Sequence, residues 1–270
     1  MDLYPRCASA SLCSKEAESL VISIVSHGHG KLVQSLLEEL TRYCASSVTR
    51  VILTLNIPEE VPCAPVGGWP FKMDFIRNTR PHGFGFNHNQ ALRDATESLV
   101  CVLNPDVRLL GSDPFVALKQ VALQQGVGCA YPEQVDSKGI LQDFERSLPT
   151  PVALFARRVL RRPDSRVDWV NAACLVMQRA VWDSLDGFDI RYFMYCEDVD
   201  FSLRLRLRGW VLARAPARVV HAGQRASNFN PRHLLWHLFS LLRLWRSPVY
   251  KSSLHMVTAT NKSKVTIDPS

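Results

Sequence analysis

LVCVLNPD, residues 99–106, sets five apolar residues directly before Asn104, Pro105 and Asp106. A short continuous apolar run reads as a buried strand, and α/β sheets gather polar chemistry at the carboxyl ends of such strands. A second acid cluster, Glu197-Asp198, lies within FMYCEDVDFSLRLRLRGW, residues 193–210. The first cluster suits a divalent cation and the diphosphate it neutralises, and the second suits a base that takes a proton from an incoming hydroxyl. Two such clusters point to group transfer from a nucleotide sugar. Taken singly, Asn104-Pro105-Asp106 is also a plain turn signal, and adjacent acids at a helix start favour the helix dipole whatever the chemistry.

Around this stretch, strand and helix signals alternate. LVISIV, Leu20 to Val25, reads as a first strand that ends in Ser26-His27-Gly28. Leu32 to Tyr43 carries Leu32, Val33, Leu36, Leu37 and Leu40 at helical spacing, with Glu38 and Glu39 on the other side. Val51–Leu55 and Phe71–Ile76 are the next strands, and the loop Gly83-Phe84-Gly85-Phe86-Asn87 leads into a helix over Gln90–Ser98. The order predicts a mostly parallel central sheet flanked by helices. Beyond Asp106 the expectations are a helix over Asp113–Gln124, a strand over Val127–Tyr131, a strand over Val167–Met177, a helix over Arg179–Leu185 and a turn at 186–189. Phe201, Leu203, Leu205 and Leu207 then alternate with Ser202, Arg204, Arg206 and Arg208, the period of an exposed strand.

A chain of 270 residues with 47% hydrophobic content is one large domain with an ample core and room for an appendage. Its eight cysteines form no CxxC pair, so neither a disulfide framework nor a zinc site is expected. Residues 1–19 hold five charged side chains and no apolar h-region, and no run approaches the ~20 apolar residues that span a bilayer. A reducing, cytoplasmic setting is the expectation. A formal charge of +7 can draw in an anionic donor, an anionic lipid carrier or a bilayer surface, or can be a solvated basic face; no nucleic-acid module is visible, and none is expected as a partner. The densest basic cluster, Arg157, Arg158, Arg161, Arg162 and Arg166, lies among Pro149, Pro151 and Pro163 and is expected to form a loop beside the active face.

The ordered set Asn78, Gly83-Phe84-Gly85, Asn89, LNPDV, VNAACLVMQR, GFDIRYFMYCEDVDFSLRLRLRGW and Val220-His221 resembles family 2 glycosyltransferases of the GT-A fold, nearest the rhamnosyltransferase and galactofuranosyltransferase-like branch of bacterial cell-surface polysaccharide assembly, O-antigen among them. The likeness runs from about Leu20 to about Ser227. It implies a metal-dependent inverting transfer, with Asp106 and His221 holding Mg²⁺ or Mn²⁺ and Asn104 in the first position of the metal motif. Asp198 is then the base and Glu197 its supporting acid. Donor contacts fall to Val25, Ser26, His27, Asn56, Asn78, Gly83, Asn89, Asn104, Asp106 and Asn171. The resemblance also makes the segment after Glu197-Asp198 a helix, overruling the alternation. Implied partners are a dTDP- or UDP-linked sugar, rhamnose favoured, and a lipid-linked or growing glycan. A sugar-phosphate nucleotidylyltransferase or a non-catalytic binding module are the alternatives; SHGHGK is a poor phosphate loop for the former, and the intact acids speak against the latter.

The domain scheme is an extension over 1–19, the transferase domain over 20–227, an amphipathic helix over 228–250 and a polar tail over 251–270. NPRHLLWHLFSLLRLWRSPVY, residues 230–250, has a broad apolar face, a narrow stripe of His233, His237, Ser240, Arg243 and Ser247, and flanking Arg232, Arg246 and Lys251. It suits a helix lying in the interface of an anionic membrane, which would place the protein on the inner face of the cytoplasmic membrane. A core-packed terminal helix or a homodimer contact is the competing expectation. On the interfacial reading, a chain cut after Asn228 stays folded.

Overall fold

The computed structural model describes residues 18–158, 166–221 and 231–265. Expectations about residues 1–17, about Arg161 and Arg162, and about residues 222–230 and 266–270 lie outside them. The first half follows the predicted alternation: β1 (Leu20–Ser26), α1 (Gly30–Tyr43), β2 (Arg50–Leu55), β3 (Lys72–Arg77), α2 (Phe84–Leu92), β4 (Leu99–Leu103), β5 (Val107–Leu109), α3 (Phe115–Ala122) and β6 (Val127–Val135). The second half adds β7 (Glu145–Arg146), α4 (Pro151–Arg158), β8 (Trp169–Val170), β9 (Cys174–Gln178), α5 (Arg179–Ser184), α6 (Glu197–Leu207), β10 (Val211–His221), α7 (Pro231–Arg246) and α8 (Pro248–Val265).

Eight strands form one sheet in the order β3-β2-β1-β4-β9-β6-β10-β5. The β3-β2-β1-β4 half is parallel throughout, and β9 enters antiparallel between β4 and β6. Strand periodicity divides the core: Leu20, Ile22, Ile24, Leu99, Cys101 and Leu103 meet α1 and α3 on one face. Val21, Val100, Val102, Leu175 and Met177 meet Trp182, Phe188 and Phe201 on the other. Both faces are covered, so β4 has no polar side and reads as an unbroken apolar run.

Several boundaries differ from expectation for identifiable reasons. The helix expected over Gln90–Ser98 begins at Phe84, and the glycine loop is its first turn. A Cβ on Gly85 would lie 2.7 Å from the Cβ of Phe188, so the glycine serves the close approach of that side chain. The single strand expected over Val167–Met177 is two, because the chain leaves a small sheet, where β8 pairs with β7, to enter the main one as β9. The basic loop is helical over Pro151–Arg158: the Thr150 hydroxyl accepts from Ala153 N at 3.0 Å, Pro151 takes the first helical position, and Leu154 packs inward. The 197–207 segment is the helix that the resemblance implies and not the strand that alternation suggests, because two of its arginines are engaged by acids. Arg204 donates to Asp200 at 2.7 Å and Arg206 to the fully buried Asp168 at 2.5 Å, so charges sit where alternation suggests water. Val211–His221, not foreseen as a strand, extends the sheet beside β6. The expected helix and tail after residue 228 are two helices. Ser247 breaks the first and caps the second, its hydroxyl accepting from Tyr250 N at 3.1 Å ahead of Pro248.

Candidate active site

The carboxyl ends of β1, β2 and β4 lie side by side in register, so Ser26-His27, Asn56 and Asn104-Asp106 share one edge of the sheet. Asn56 organises the first part. Its Nδ2 donates to the His82 carbonyl at 2.9 Å and lies 3.2 Å from His27 Nδ1, while its Oδ1 accepts from His82 N at 2.8 Å and Asn78 Nδ2 at 2.9 Å. Asn78 also donates to Asn87 Oδ1 at 2.7 Å, and Asn87 returns to the Gly83 carbonyl at 3.0 Å. These amides bind loop to loop, so their main work is to hold the rim where β2, β3 and α2 meet. Val25 is half-buried just inside it. Ser26 donates to Glu59 at 2.8 Å, and the second Glu59 oxygen accepts from Gly28 N at 3.3 Å. Glu59 was missed in the sequence; the acidic pair after the second strand, in LNIPEEV, was its signal.

Asp106 and His221 come together from elements far apart in the chain. Val107 pairs with His221 across β5 and β10, which brings Asp106 Oδ2 within 3.5 Å of His221 Nε2, both groups half-buried. Burial pushes the Asp106 carboxyl up, but the hydrogen bond and charge of His221, with smaller help from the backbone and His29, outweigh it and hold the pKa below the usual value. A hard divalent ion accepts such a carboxylate–imidazole pair. Among the described residues no group of three or more His, Cys, Asp or Glu side chains is placed to hold an ion, so the remaining positions would fall to diphosphate oxygens and water. Asn104 is fixed by its backbone, its N–H donating to the Ala173 carbonyl at 2.8 Å.

Glu197 and Asp198 open α6. Tyr195 and Cys196, directly before them, have φ of 72° and 66°. Left-handed non-glycine residues cost of order 1–3 kcal/mol each and persist only where surroundings hold them. Glu197 is buried with Oε2 lacking a hydrogen-bond partner among the described residues; burial first, and then the Asp198 charge, raise its pKa well above the usual range. Asp198 is half-buried and its Oδ1 accepts from Val199 N at 2.8 Å. Burial pushes its carboxyl up to about 6 against the lowering pull of that hydrogen bond and of Arg146. A carboxylate of that pKa is poised to take a proton near neutrality.

Two further expected donor contacts, Asn89 and Asn171, also bind parts of the fold to one another. The Asn89 amide clamps the 186–189 turn, with Nδ2 donating to the Phe188 carbonyl at 2.8 Å and Oδ1 accepting from Phe188 N at 2.9 Å, so its polar atoms are consumed there. Asn171 forms a reciprocal amide pair with the buried Gln134, at 2.6 and 3.0 Å, that fixes the start of β9. Gly83 lies against the segment that precedes Glu197-Asp198: an added Cβ would be 2.6 Å from the Phe193 carbonyl oxygen, so its backbone is a spacer between the two parts of the candidate site.

The mixed sheet, with Asp106 and His221 at its strand ends, has the GT-A architecture of glycosyltransferases. A mannosyltransferase from Pyrobaculum calidifontis, solved with GDP-Man and Mn²⁺, shares the fold at a TM-score of 0.57 and 16% identity, over 89% of this chain and 75% of that one. The family model described as "Glycosyltransferase like family 2" matches residues 66–242, and the chain belongs to that family and is a transferase enzyme. Rhamnosyltransferase WbbL of Escherichia coli K12 is 27% identical over 245 residues, 82% of this chain and 90% of its own. The O-antigen biosynthesis protein RfbC of Myxococcus xanthus is 27% identical over 80% of this chain, which spans 18% of that protein. The N-acetylglucosaminyl-diphospho-decaprenol L-rhamnosyltransferase of Mycobacterium tuberculosis is 29% identical over 158 residues, 51% of this chain and 52% of its own.

Proposed function

We propose that this enzyme is a metal-dependent inverting glycosyltransferase that moves a sugar, rhamnose favoured, from a dTDP- or UDP-linked donor to a lipid-linked or growing cell-surface glycan. The observation that carries it is Asp198: a half-buried carboxylate pushed up to about 6, at a helix start held against the Gly83 rim of the donor side. The acceptor hydroxyl oxygen attacks the anomeric carbon in line, its proton passes to Asp198, and the bond to the diphosphate breaks with its electrons leaving on the nucleoside diphosphate. A cation held by Asp106 and His221 would supply counter-charge for that leaving group. Glu197, buried next to Asp198 with its pKa raised by burial and by the Asp198 charge, is the supporting acid that stays protonated as the base ionises. The names of the relatives support rhamnose and, through the decaprenol-linked one, a lipid-diphosphate acceptor.

A membrane surface is the proposed setting of that acceptor. On α7, Leu234, Leu235, Leu238 and Phe239 are 59, 52, 49 and 65% exposed, a continuous apolar face with Arg232, Arg243 and Arg246 at the two ends of the helix. An apolar strip flanked by cations suits an anionic bilayer better than a second copy of an equally basic chain. Among the described residues no helix is long and apolar enough to cross a membrane.

The decisive test is a panel of dTDP-rhamnose, UDP-galactofuranose, UDP-N-acetylglucosamine and GDP-mannose, read by thermal shift with and without Mn²⁺. The expected result is a shift with dTDP-rhamnose that needs Mn²⁺ and is lost in Asp106→Ala. A response to GDP-mannose alone would overturn the donor assignment, and full turnover in excess EDTA the metal assignment.

A further inference from the structure

Part of the polar stripe of α7 turns inward, while Arg243 stays exposed. His233, Trp236, His237 and Ser240 recur at the spacing of one helix face, and that face meets the residues directly before Glu197-Asp198. Ser240 Oγ donates to the Met194 carbonyl at 2.8 Å, and His233 Nδ1 lies 2.8 Å from the Tyr195 hydroxyl. The Trp236 and Phe193 rings are 5.0 Å apart, and those of His237 and Tyr195 5.1 Å. On its other side the same segment is tied to α2, where Phe84 N donates to the Phe193 carbonyl at 3.0 Å. Residues 193–196 have no regular structure of their own, and their last two are left-handed.

We infer that α7 positions the base, its inward stripe of His233, Trp236, His237 and Ser240 holding the left-handed Tyr195-Cys196 turn so that Asp198 faces the acceptor side. This rests on Asp198 being the base. A left-handed pair of non-glycine residues relaxes unless contacts oppose it, and here one helix holds Tyr195 through His233 and His237 and the two residues before it through Trp236 and Ser240. His233, His237 and Ser240 are therefore spent on the turn before Asp198, while Leu234, Leu235, Leu238 and Phe239 stay outward. Tyr195, His233 and Ser240 act through the placement of Asp198 and touch no reacting atom.

The test measures kcat and KM for Tyr195→Phe, Ser240→Ala and His233→Leu in the full chain. Activity is followed as nucleoside diphosphate release from the panel donor that gives the largest Mn²⁺-dependent shift, with a lipid-linked N-acetylglucosaminyl diphosphate as acceptor. Misplacing a reacting group by a fraction of an ångström to an ångström lowers kcat by about 10- to 100-fold, while donor KM and the thermal midpoint stay near wild type. Tyr195→Phe with His233→Leu loses little more than either alone, since both remove one contact. His233→Asn, which keeps a hydrogen-bonding atom, regains part of the rate. In an Asp198→Asn background the same substitutions leave the residual rate within about twofold, because they work through the base. Wild-type kcat in the single variants, equal losses in both backgrounds, or a loss confined to donor KM would overturn the proposal. Wild-type turnover in Asp198→Asn itself would instead remove the base assignment on which it stands.

Discussion

Asp198 and Glu197 sit side by side at one helix start, and burial raises both, so the pair resists carrying two charges at once. Two consequences separate chemistry from stability. As the proposed base, Asp198 works only when deprotonated, so kcat/KM should fall as pH drops through about 6. Between its ordinary 3.8 and about 6 the folded chain holds a proton on Asp198 that the unfolded chain has released, so this group's contribution to stability falls as pH rises through that window. Asp198→Asn is therefore expected to lose turnover by about 10²-fold or more, keep Mn²⁺-dependent donor binding, and melt higher than wild type at pH 7.5. Glu197→Gln should cost less activity. A dead Glu197→Gln beside a nearly normal Asp198→Asn would reverse the roles, and a lower melting temperature for Asp198→Asn would refute the burial account. Residue types and spacing were enough to nominate both acids, since a base and a metal-binding carboxylate need little more than a strand end or a helix start. The partners of Asn89 and Asn171 are not legible, because an asparagine looks alike in sequence whether its amide meets a ligand, a backbone 99 residues away or another amide.

At the scale of elements, α7 turns His233, His237 and Ser240 inward on a neighbouring segment and leaves Leu234, Leu235, Leu238 and Phe239 exposed. Leu238→Glu with Phe239→Glu changes only exposed positions, so the variant should melt with wild type yet lose cosedimentation with phosphatidylglycerol-containing vesicles at low salt. Wild-type pelleting should weaken as salt rises, because screening reaches a Debye length of about 8 Å at physiological strength. Equal pelleting of the variant would sink the membrane assignment, and a concentration-dependent dimer abolished by the same changes would name a second copy as the occupant. The helical spacing of this segment is evident in the sequence. Which face turns inward is not, because the stripe's partners, Met194 and Tyr195, belong to another part of the chain.

Across the whole molecule, the C-terminal helices belong to the fold. Leu241, Leu244 and Tyr250 are buried with Leu148, Trp169, Tyr192, Val199 and Leu203, and Trp245 donates to the Pro149 carbonyl at 2.8 Å. Each large side chain of this kind contributes about 1.5–3 kcal/mol on burial, against a total stability of roughly 5–15 kcal/mol. A chain cut after residue 230 is thus expected to melt far lower or to aggregate, contrary to the folded truncation that an interfacial helix alone suggests. A truncated chain with wild-type melting would show that this third cluster adds little.

The sequence by itself determined the parallel half of the sheet, the fold it belongs to and the acids at its edge. Strand runs buried on both faces, and carboxylates placed where those runs end, are local patterns that the chain writes in order. Tertiary structure alone decided the rest: the antiparallel approach of β5 to β10 that sets Asp106 against His221, the partners Asp200 and Asp168 that the α6 arginines find, and the inward turn of His233, His237 and Ser240 on α7. In each case the deciding contact joins side chains to groups on other elements. Such a partner changes what a polar residue costs to bury, and no window of sequence contains it.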